Sequence, residues 1–311
     1  MSLLWILVGL VGLWAGSEWA LRGTIDVAER RGLSQGFLGV VVLAVGTDMP
    51  EVLVAVTAAV HQLQGQEASG VVLGNAVGSA LTQGSLVLGL AGLFGHLHMS
   101  RHTLRRDGAV LLLTILGLVL LAADGELTRL EGGVLLVVYG IYAWTLRQAE
   151  RRRAEGPREP WSRLVGSMVR IGIGLLVVLI SSEAIVTHAL ELTARRGWDQ
   201  TVIGLFLVGA GTSLPELALS LGAVVKGRAG LAVGNVIGSN LFDLLVPIGL
   251  SAALHPLVAE RGTRFVDLPV LGVLTLLGLL FFARDRGIQR WEAWTLIGGY
   301  LVYAAFRLAS T

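Results

Sequence analysis

The sequence predicts an all-α integral membrane protein of ten transmembrane helices, built as two inverted five-helix repeats. Three observations predict it: the balance of apolar to charged residues, the recurrence of long apolar runs, and polar motifs that occur twice at a fixed separation. Of 311 residues, 54% are hydrophobic and 15% charged, and mean hydropathy is +0.72. Soluble domains carry about 25% charged residues, so this composition suits lipid as the solvent. The 42 glycines fit helices whose backbones approach closely in a membrane. Cysteine is absent, which excludes disulfides and thiolate metal sites and leaves the redox compartment open. The net charge of +2 comes from basic residues in short loops, so no nucleic-acid partner is expected.

A helix needs about 20 apolar residues to cross the hydrocarbon core. Read against charged and Gly/Pro boundaries, such runs fall at 2–21, 36–62, 68–95, 107–123, 129–147, 164–190, 201–225, 229–253, 265–283 and 289–308. The first, Met1 to Ala20, lacks a basic n-region, is long for a signal-peptide h-region and carries Glu18, so it is read as a retained helix. The second, third, seventh and eighth are long and interrupted by Gly, Ser, Thr or Pro, and are expected to be discontinuous. Most of the 24 Lys and Arg residues lie on one side of these spans, in the loops after spans 1, 3, 7 and 9 and in the centre of the chain. Basic loops face the cytoplasm, so both termini are expected outside a cell (inner) membrane. The Arg-rich segment 148–163 then forms a cytoplasmic linker between a first repeat, 1–147, and a second, 164–311.

The repeat is legible residue by residue. Ser17-Glu18 recurs as Ser182-Glu183, Arg30-Arg31-Gly32 as Arg195-Arg196-Gly197, and Thr47-x-x-Pro50-Glu51 as Thr212-x-x-Pro215-Glu216, all at an offset of 165 residues. Gly74-Asn75-x-x-Gly78-Ser79 recurs as Gly234-Asn235-x-x-Gly238-Ser239 at 160; a loop shortened by five residues accounts for the change. An odd number of spans per half inverts the second half relative to the first. Inverted repeats are characteristic of secondary transporters, with the site in broken helices at the repeat interface. A duplicated structural bundle is the bland alternative, and the polar character of the repeated residues argues against it.

Asp48, Glu51, Glu216 and Asp243 lie well inside apolar spans, where a charge costs about 2.5–3.5 kcal/mol even on insertion scales. A bound cation offsets that cost most simply. Thr47 and Glu51, Thr212 and Glu216, Ser79 and Gln83, and Ser239 and Asp243 are each one helical turn apart, so hydroxyl and carboxylate or amide share a face. Pro50 and Pro215 remove a backbone donor, freeing carbonyls near Ala44 and Gly209 as ligands. Six to eight oxygens suit Ca²⁺, and with no Cys or His in these elements soft metals are disfavoured. Asn75 and Asn235 either ligate or bridge broken helices.

The segments Gly46–Glu51 (GTDMPE), Gly211–Glu216 (GTSLPE), Gly74–Gly89 (GNAVGSALTQGSLVLG) and Gly234–Gly249 (GNVIGSNLFDLLVPIG) resemble the α-repeats of the Ca²⁺/cation antiporter superfamily. The nearest branch is the prokaryotic sodium/calcium exchangers, and the resemblance covers essentially the whole chain. It implies that Glu51 and Glu216 are the central Ca²⁺ carboxylates, with Thr47, Thr212, Ser213, Ser79, Ser239 and Asp243 completing overlapping Ca²⁺ and Na⁺ sites. It also implies that helices one and six slide as a pair to alternate access. The first repeat departs from the family pattern: Asp48 stands where Ser is usual, Gln83 where Asn or Asp is common, and Ala80 opposite Asn240. Asp48 adds a carboxylate beside Glu51, and two neighbouring carboxylates resist double ionisation. Asp48 therefore either carries a proton, making H⁺ the coupling ion, or strengthens divalent binding and alters Na⁺ stoichiometry.

The expected activity is Ca²⁺ exchange for Na⁺ by alternating access, with H⁺-coupled divalent antiport as the near alternative and a passive cation channel as a third. No nucleophile elbow, HExxH or Gly-x-Gly-Asp segment supports an intramembrane hydrolase, so the chain is not read as an enzyme. No cofactor is expected beyond the transported ions, and no partner beyond membrane lipid. His96, His98 and His102 are read as an interfacial polar cluster, Glu18 and Glu183 as packing or capping groups. Trp5, Trp14, Trp19, Trp198, Trp291 and Trp294 are read as a membrane-interface belt, and Arg151–Arg153 as a topological anchor near anionic lipid.

Overall fold

A backbone surrounded by lipid must satisfy its own hydrogen bonds, and the described chain is helical almost throughout. The computed structural model describes residues 2–30, 47–97, 99, 101–151, 164–227, 229–284 and 287–310. In chain order these form α1 (Ser2–Arg30), α2 (Met49–Leu63), α3 (Ser69–Phe94), α4 (Arg101–Asp124), α5 (Arg129–Arg151), α6 (Val165–Arg196), α7 (Gln200–Thr212), α8 (Leu214–Val225), α9 (Ala229–Leu254), α10 (Thr263–Ala283) and α11 (Arg290–Ala309). Six of them (α1, α3, α4, α6, α9 and α10) are long and apolar enough to cross a membrane, and α7 with α8 makes a seventh if that bent pair is one span. Trp5, Trp14, Trp19, Trp198, Trp291 and Trp294 are all about half exposed or more, as a lipid-facing belt requires.

The expected breaks divide. The seventh span bends by 40° between Thr212 and Leu214, where Pro215 cannot donate to the carbonyl four residues back. The third and eighth spans, expected to be discontinuous, run unbroken as α3 and α9. In α3 a wider π-helical stretch at Thr82–Val87 absorbs the Gly-rich sequence while backbone angles stay helical. In α9, Pro247 sits inside the helix and removes only the donor to the carbonyl of Asp243. The first half of the second span, with Ala44, lies outside the described residues, as do His98 and residues 152–163 of the linker. Several helices outrun their apolar cores; α1 continues to Arg30, helped by the i,i+4 ion pairs Arg22–Glu18 at 2.6 Å and Arg30–Asp26 at 2.8 Å.

Contacts recur at the spacing of the sequence repeat. Glu126-Leu127 pairs antiparallel with Leu257-Val258 in a two-residue ribbon, β1 with β2. Leu97 bridges Ile288 in the same sense, the counterpart of Leu127 facing Leu257. The first ribbon lies at the end of α4 and the start of α10; the second lies at the start of α4 and the end of α10. Counterpart helices α4 and α10 thus run in opposite directions. α1 and α6 pack antiparallel along their lengths, Gly9 against Ile185, Gly16 against Gly174 and Val178, and Gly23 against Ile171. Small residues at these crossings let the two backbones approach.

A second polar cluster supports the far end of the bundle. Asp267 is fully buried and accepts hydrogen bonds from the Tyr303 hydroxyl at 2.8 Å and Arg307 Nε at 3.1 Å. Removing the cation from such a pair strands a buried charge, a cost of about 3–5 kcal/mol. Arg307→Met is therefore expected to lower the thermal unfolding midpoint in detergent, and Asp267→Asn with Arg307→Met to recover part of that loss. A single variant that melts with the parent would remove this cluster from the stability of the fold.

Candidate functional site

The two Pro-Glu motifs open helices in the middle of the protein. Asp48 is the N-cap residue of α2 and Ser213 that of α8, and Pro50 and Pro215 stand in the first turn of each. Proline suits that position because its missing N–H would have no partner in the first turn. Glu51 and Glu216 fall in the same first turns, where the positive end of the helix dipole favours a carboxylate.

α3 and α9 bring the remaining polar groups to this point. α3 lies directly against α7 because both present glycine: a Cβ on Gly204 would sit 2.8 Å from Gly74 Cα, and one on Gly209 would sit 2.8 Å from Ser79 N. That approach seats Ser79 centrally. Its hydroxyl lies 3.2 Å from Glu51 Oε1, 2.9 Å from Asp243 Oδ2 and 2.8 Å from Ser213 Oγ. Gln83 Nε2 donates to Ser79 Oγ at 2.9 Å and to Asp243 Oδ2 at 3.1 Å. One hydroxyl proton serves one acceptor at a time, so Ser79 cannot satisfy both carboxylates together.

Thr47, Asp48, Glu51, Ser79, Gln83, Thr212, Ser213, Glu216, Ser239 and Asp243 are all buried. Asp48, Glu51 and Asp243 present carboxylate oxygens within 4.8 Å of one another. Glu216 completes the group: Thr47 and Asp48 lie against it, Thr212 lies against Glu51, and Ser239 against Asp48. These approaches give no well-aligned hydrogen bond to Asp48 or Glu216. Both oxygens of each, Glu51 Oε2, Asp243 Oδ1 and Gln83 Oε1 have no partner. Buried polar atoms are ordinarily satisfied, so seven orphaned oxygens at one point is a strong departure.

Two expectations need adjustment. The Gly209 carbonyl, expected to be freed by Pro215, accepts from the Thr212 hydroxyl at 3.1 Å, the Ser213 hydroxyl at 2.8 Å and Ser213 N at 3.2 Å. Asn75 bridges α2, α3 and α7: its Nδ2 donates to the Glu51 carbonyl at 3.2 Å, and its Oδ1 lies 3.4 Å from Thr212 Oγ1. Asn235 makes no such bridge, and both of its side-chain polar atoms are orphaned. Sequence reasoning missed Tyr139 of α5, which packs edge-on to Phe242 at 5.3 Å and faces the charges of Asp48 and Asp243; a tyrosine in an apolar helix gives no motif to find. The polar groups read as interfacial or structural stand apart from the cage. His96 and His102 are exposed, Glu18 pairs with Arg22 on its own helix, and Glu183 meets His61.

The arrangement is a buried, acid-rich cage of hard oxygen donors, the chemistry of a site for alkali or alkaline-earth cations. Comparisons with known proteins give the family. A family model described as sodium/calcium exchanger protein matches residues 1–147 and 166–309. An uncharacterized membrane protein of Methanocaldococcus jannaschii is 32% identical over 302 residues, covering 97% of this chain and 96% of that one. The sodium/calcium exchanger MaX1 of Methanosarcina acetivorans is 28% identical over 345 residues, with 97% of each chain covered. A solved structure of the sodium-calcium exchanger NCX_Mj soaked with Na⁺ and Sr²⁺ superposes with a TM-score of 0.69 at 30% identity, covering 98% of this chain and 97% of that one. With its fold, its acid cage and its full-length similarity taken together, this chain is a membrane protein of the sodium/calcium exchanger family.

Proposed function

We propose that the chain exchanges Ca²⁺ for Na⁺ across the cell membrane by alternating access at the carboxylate cage. The observation that carries this reading is the set of seven orphaned, buried oxygens on Asp48, Glu51, Glu216, Asp243 and Gln83. Four carboxylates with no basic partner among the described residues are tolerable in a low-dielectric interior only when cations or protons neutralise them. Glu51 and Glu216 supply the central Ca²⁺ ligands, Asp243 and Asp48 the flanking carboxylates. Thr47, Thr212, Ser213, Ser79, Ser239 and Gln83 supply neutral oxygens as Ca²⁺ and Na⁺ replace one another. Such a cage meets the six to eight oxygens of Ca²⁺ and adapts to smaller monovalent coordination.

The opposed directions of α4 and α10 and the paired ribbons support ten spans in two inverted halves, 1–147 and 164–311, joined by a cytoplasmic linker at 148–163 with both termini outside. In that arrangement α7 with α8 is a broken span that meets α2 at the site. Asp48 favours a second reading, in which a proton replaces Na⁺ as the coupling ion. In proteoliposomes, an outward Na⁺ gradient at clamped pH is expected to drive ⁴⁵Ca²⁺ uptake, and removing trans Na⁺ to stop it. Uptake that ignores Na⁺ and follows a pH gradient would replace the first reading with the second; uptake with no counter-ion requirement would make the chain a channel.

A further inference from the structure

Outside the cage, α2 and α6 meet through two polar contacts. Thr57 Oγ1 and Ser182 Oγ lie 3.0 Å apart in a buried position. One helical turn further along α2, His61 Nε2 lies 3.0 Å from Glu183 Oε1, and Gln66 Oε1 holds the other ring nitrogen at 2.8 Å, fixing the ring toward α6. The His61 side chain is 11% exposed and that of Glu183 58%, so the pair closes the seam at its edge. α6 belongs structurally with α1: the two pack on each other from end to end and, among the described residues, touch the rest of the protein chiefly through α2. The His61–Glu183 contact is therefore a main polar tie between the α1–α6 pair and the remaining helices.

The sequence repeat supplies counterpart positions for a second tie. At the offset of 165 residues, His61 corresponds to Lys226, at the end of α8, and Glu183 corresponds to Glu18 on α1. A base and an acid are kept at both positions, while the Thr57 hydroxyl is not, because its counterpart is Gly222. Yet the two ties are not made together. Lys226 is exposed, and Glu18 bonds Arg22 one turn along its own helix at 2.6 Å, as Glu183 bonds Thr187 at 3.2 Å. The counterpart positions thus make different contacts, and in an inverted-repeat transporter one half rocking against the other exchanges such contacts as the site turns from one side of the membrane to the other.

We infer that His61–Glu183 and Lys226–Glu18 are alternating latches, each tying the α1–α6 pair to one half of the protein in one access state and released in the other. This rests on the inverted-repeat exchanger reading above. The chain has no cysteine, so cysteine pairs enter a silent background. A His–Glu contact is longer than a disulfide spans, so a short bifunctional thiol crosslinker is the probe. In proteoliposomes during turnover, the His61→Cys/Glu183→Cys variant and the Glu18→Cys/Lys226→Cys variant should each become bridged and arrested. The four-cysteine protein should take one bridge per molecule by intact mass, at either position but never both. Glu183→Gln should raise the bridging rate of the Glu18→Cys/Lys226→Cys pair by about twofold to fivefold, the weight of one partly exposed ion pair.

Two bridges on one molecule, an 18/226 pair that stays unbridged in actively exchanging protein, or a bridging rate unmoved by Glu183→Gln would each overturn the latch, whichever ion is carried. Exclusive bridging in protein that shows no Na⁺-dependent Ca²⁺ flux would instead overturn the ion assignment and leave the latch standing.

Discussion

Glu51→Gln and Glu216→Gln, made singly, are each expected to reduce Na⁺-driven ⁴⁵Ca²⁺ uptake by about 100-fold or more while the protein still elutes as a folded species in detergent. The amide keeps the size of the side chain and removes one formal charge from a cage that, among the described residues, has no basic partner to rebalance it. Breaking one partner out of a buried charge set costs about 3–5 kcal/mol, or roughly 10²–10⁴ in affinity. Both residues also occupy the first turns of helices that start at the site, so their backbone positions persist in the variants. Should either variant transport Ca²⁺ within tenfold of the parent, the pair would not be the central ligands, and the proposed cage would lose its basis.

Asp48→Ser is expected to change the coupling rather than abolish it. Ser is the residue at the counterpart position, Ser213, so the substitution makes the two motifs alike. In the parent, Asp48 shares a 4.8 Å cluster with Glu51 and Asp243. At an effective dielectric near ~20, two unit charges about 5 Å apart repel by about 3 kcal/mol, so each added carboxylate demands its own counter-charge. Removing one should lower by one the number of monovalent cations that neutralise the site. The reversal potential of exchange, recorded over a series of Na⁺ gradients and again over a series of pH gradients, reads that number and identifies the ion. A reversal potential identical in parent and variant under both series would show that Asp48 takes no part in coupling.

Much of the proposed site is legible in the residue pattern alone. Glu51, Glu216 and Asp243 stand out because charge is expensive in an apolar span, and Thr47/Glu51 and Ser239/Asp243 because helical spacing puts each pair on one face. Other parts are not. The central place of Ser79, which reaches Glu51, Asp243 and Ser213 at once, follows from glycine-mediated contact between α3 and α7, and no local spacing encodes which helices cross there. The continuity of α3 and α9 is hidden for a related reason. Gly, Ser and Pro lower helix propensity, but neighbouring helices and a π-helical turn re-satisfy the backbone and override them. His61–Glu183 joins residues 122 positions apart and carries no motif of its own.

Hydropathy and periodicity are properties of local runs, so the solvent, the helical class, the twofold repeat and the buried acids can be read from the residues in order. Tertiary structure alone decided which acids share one cage, which oxygens are left without partners, and which of two equivalent latches is closed. Those depend on how helices from opposite halves cross, and a crossing is set by side-chain packing summed over the whole bundle rather than by any segment of it.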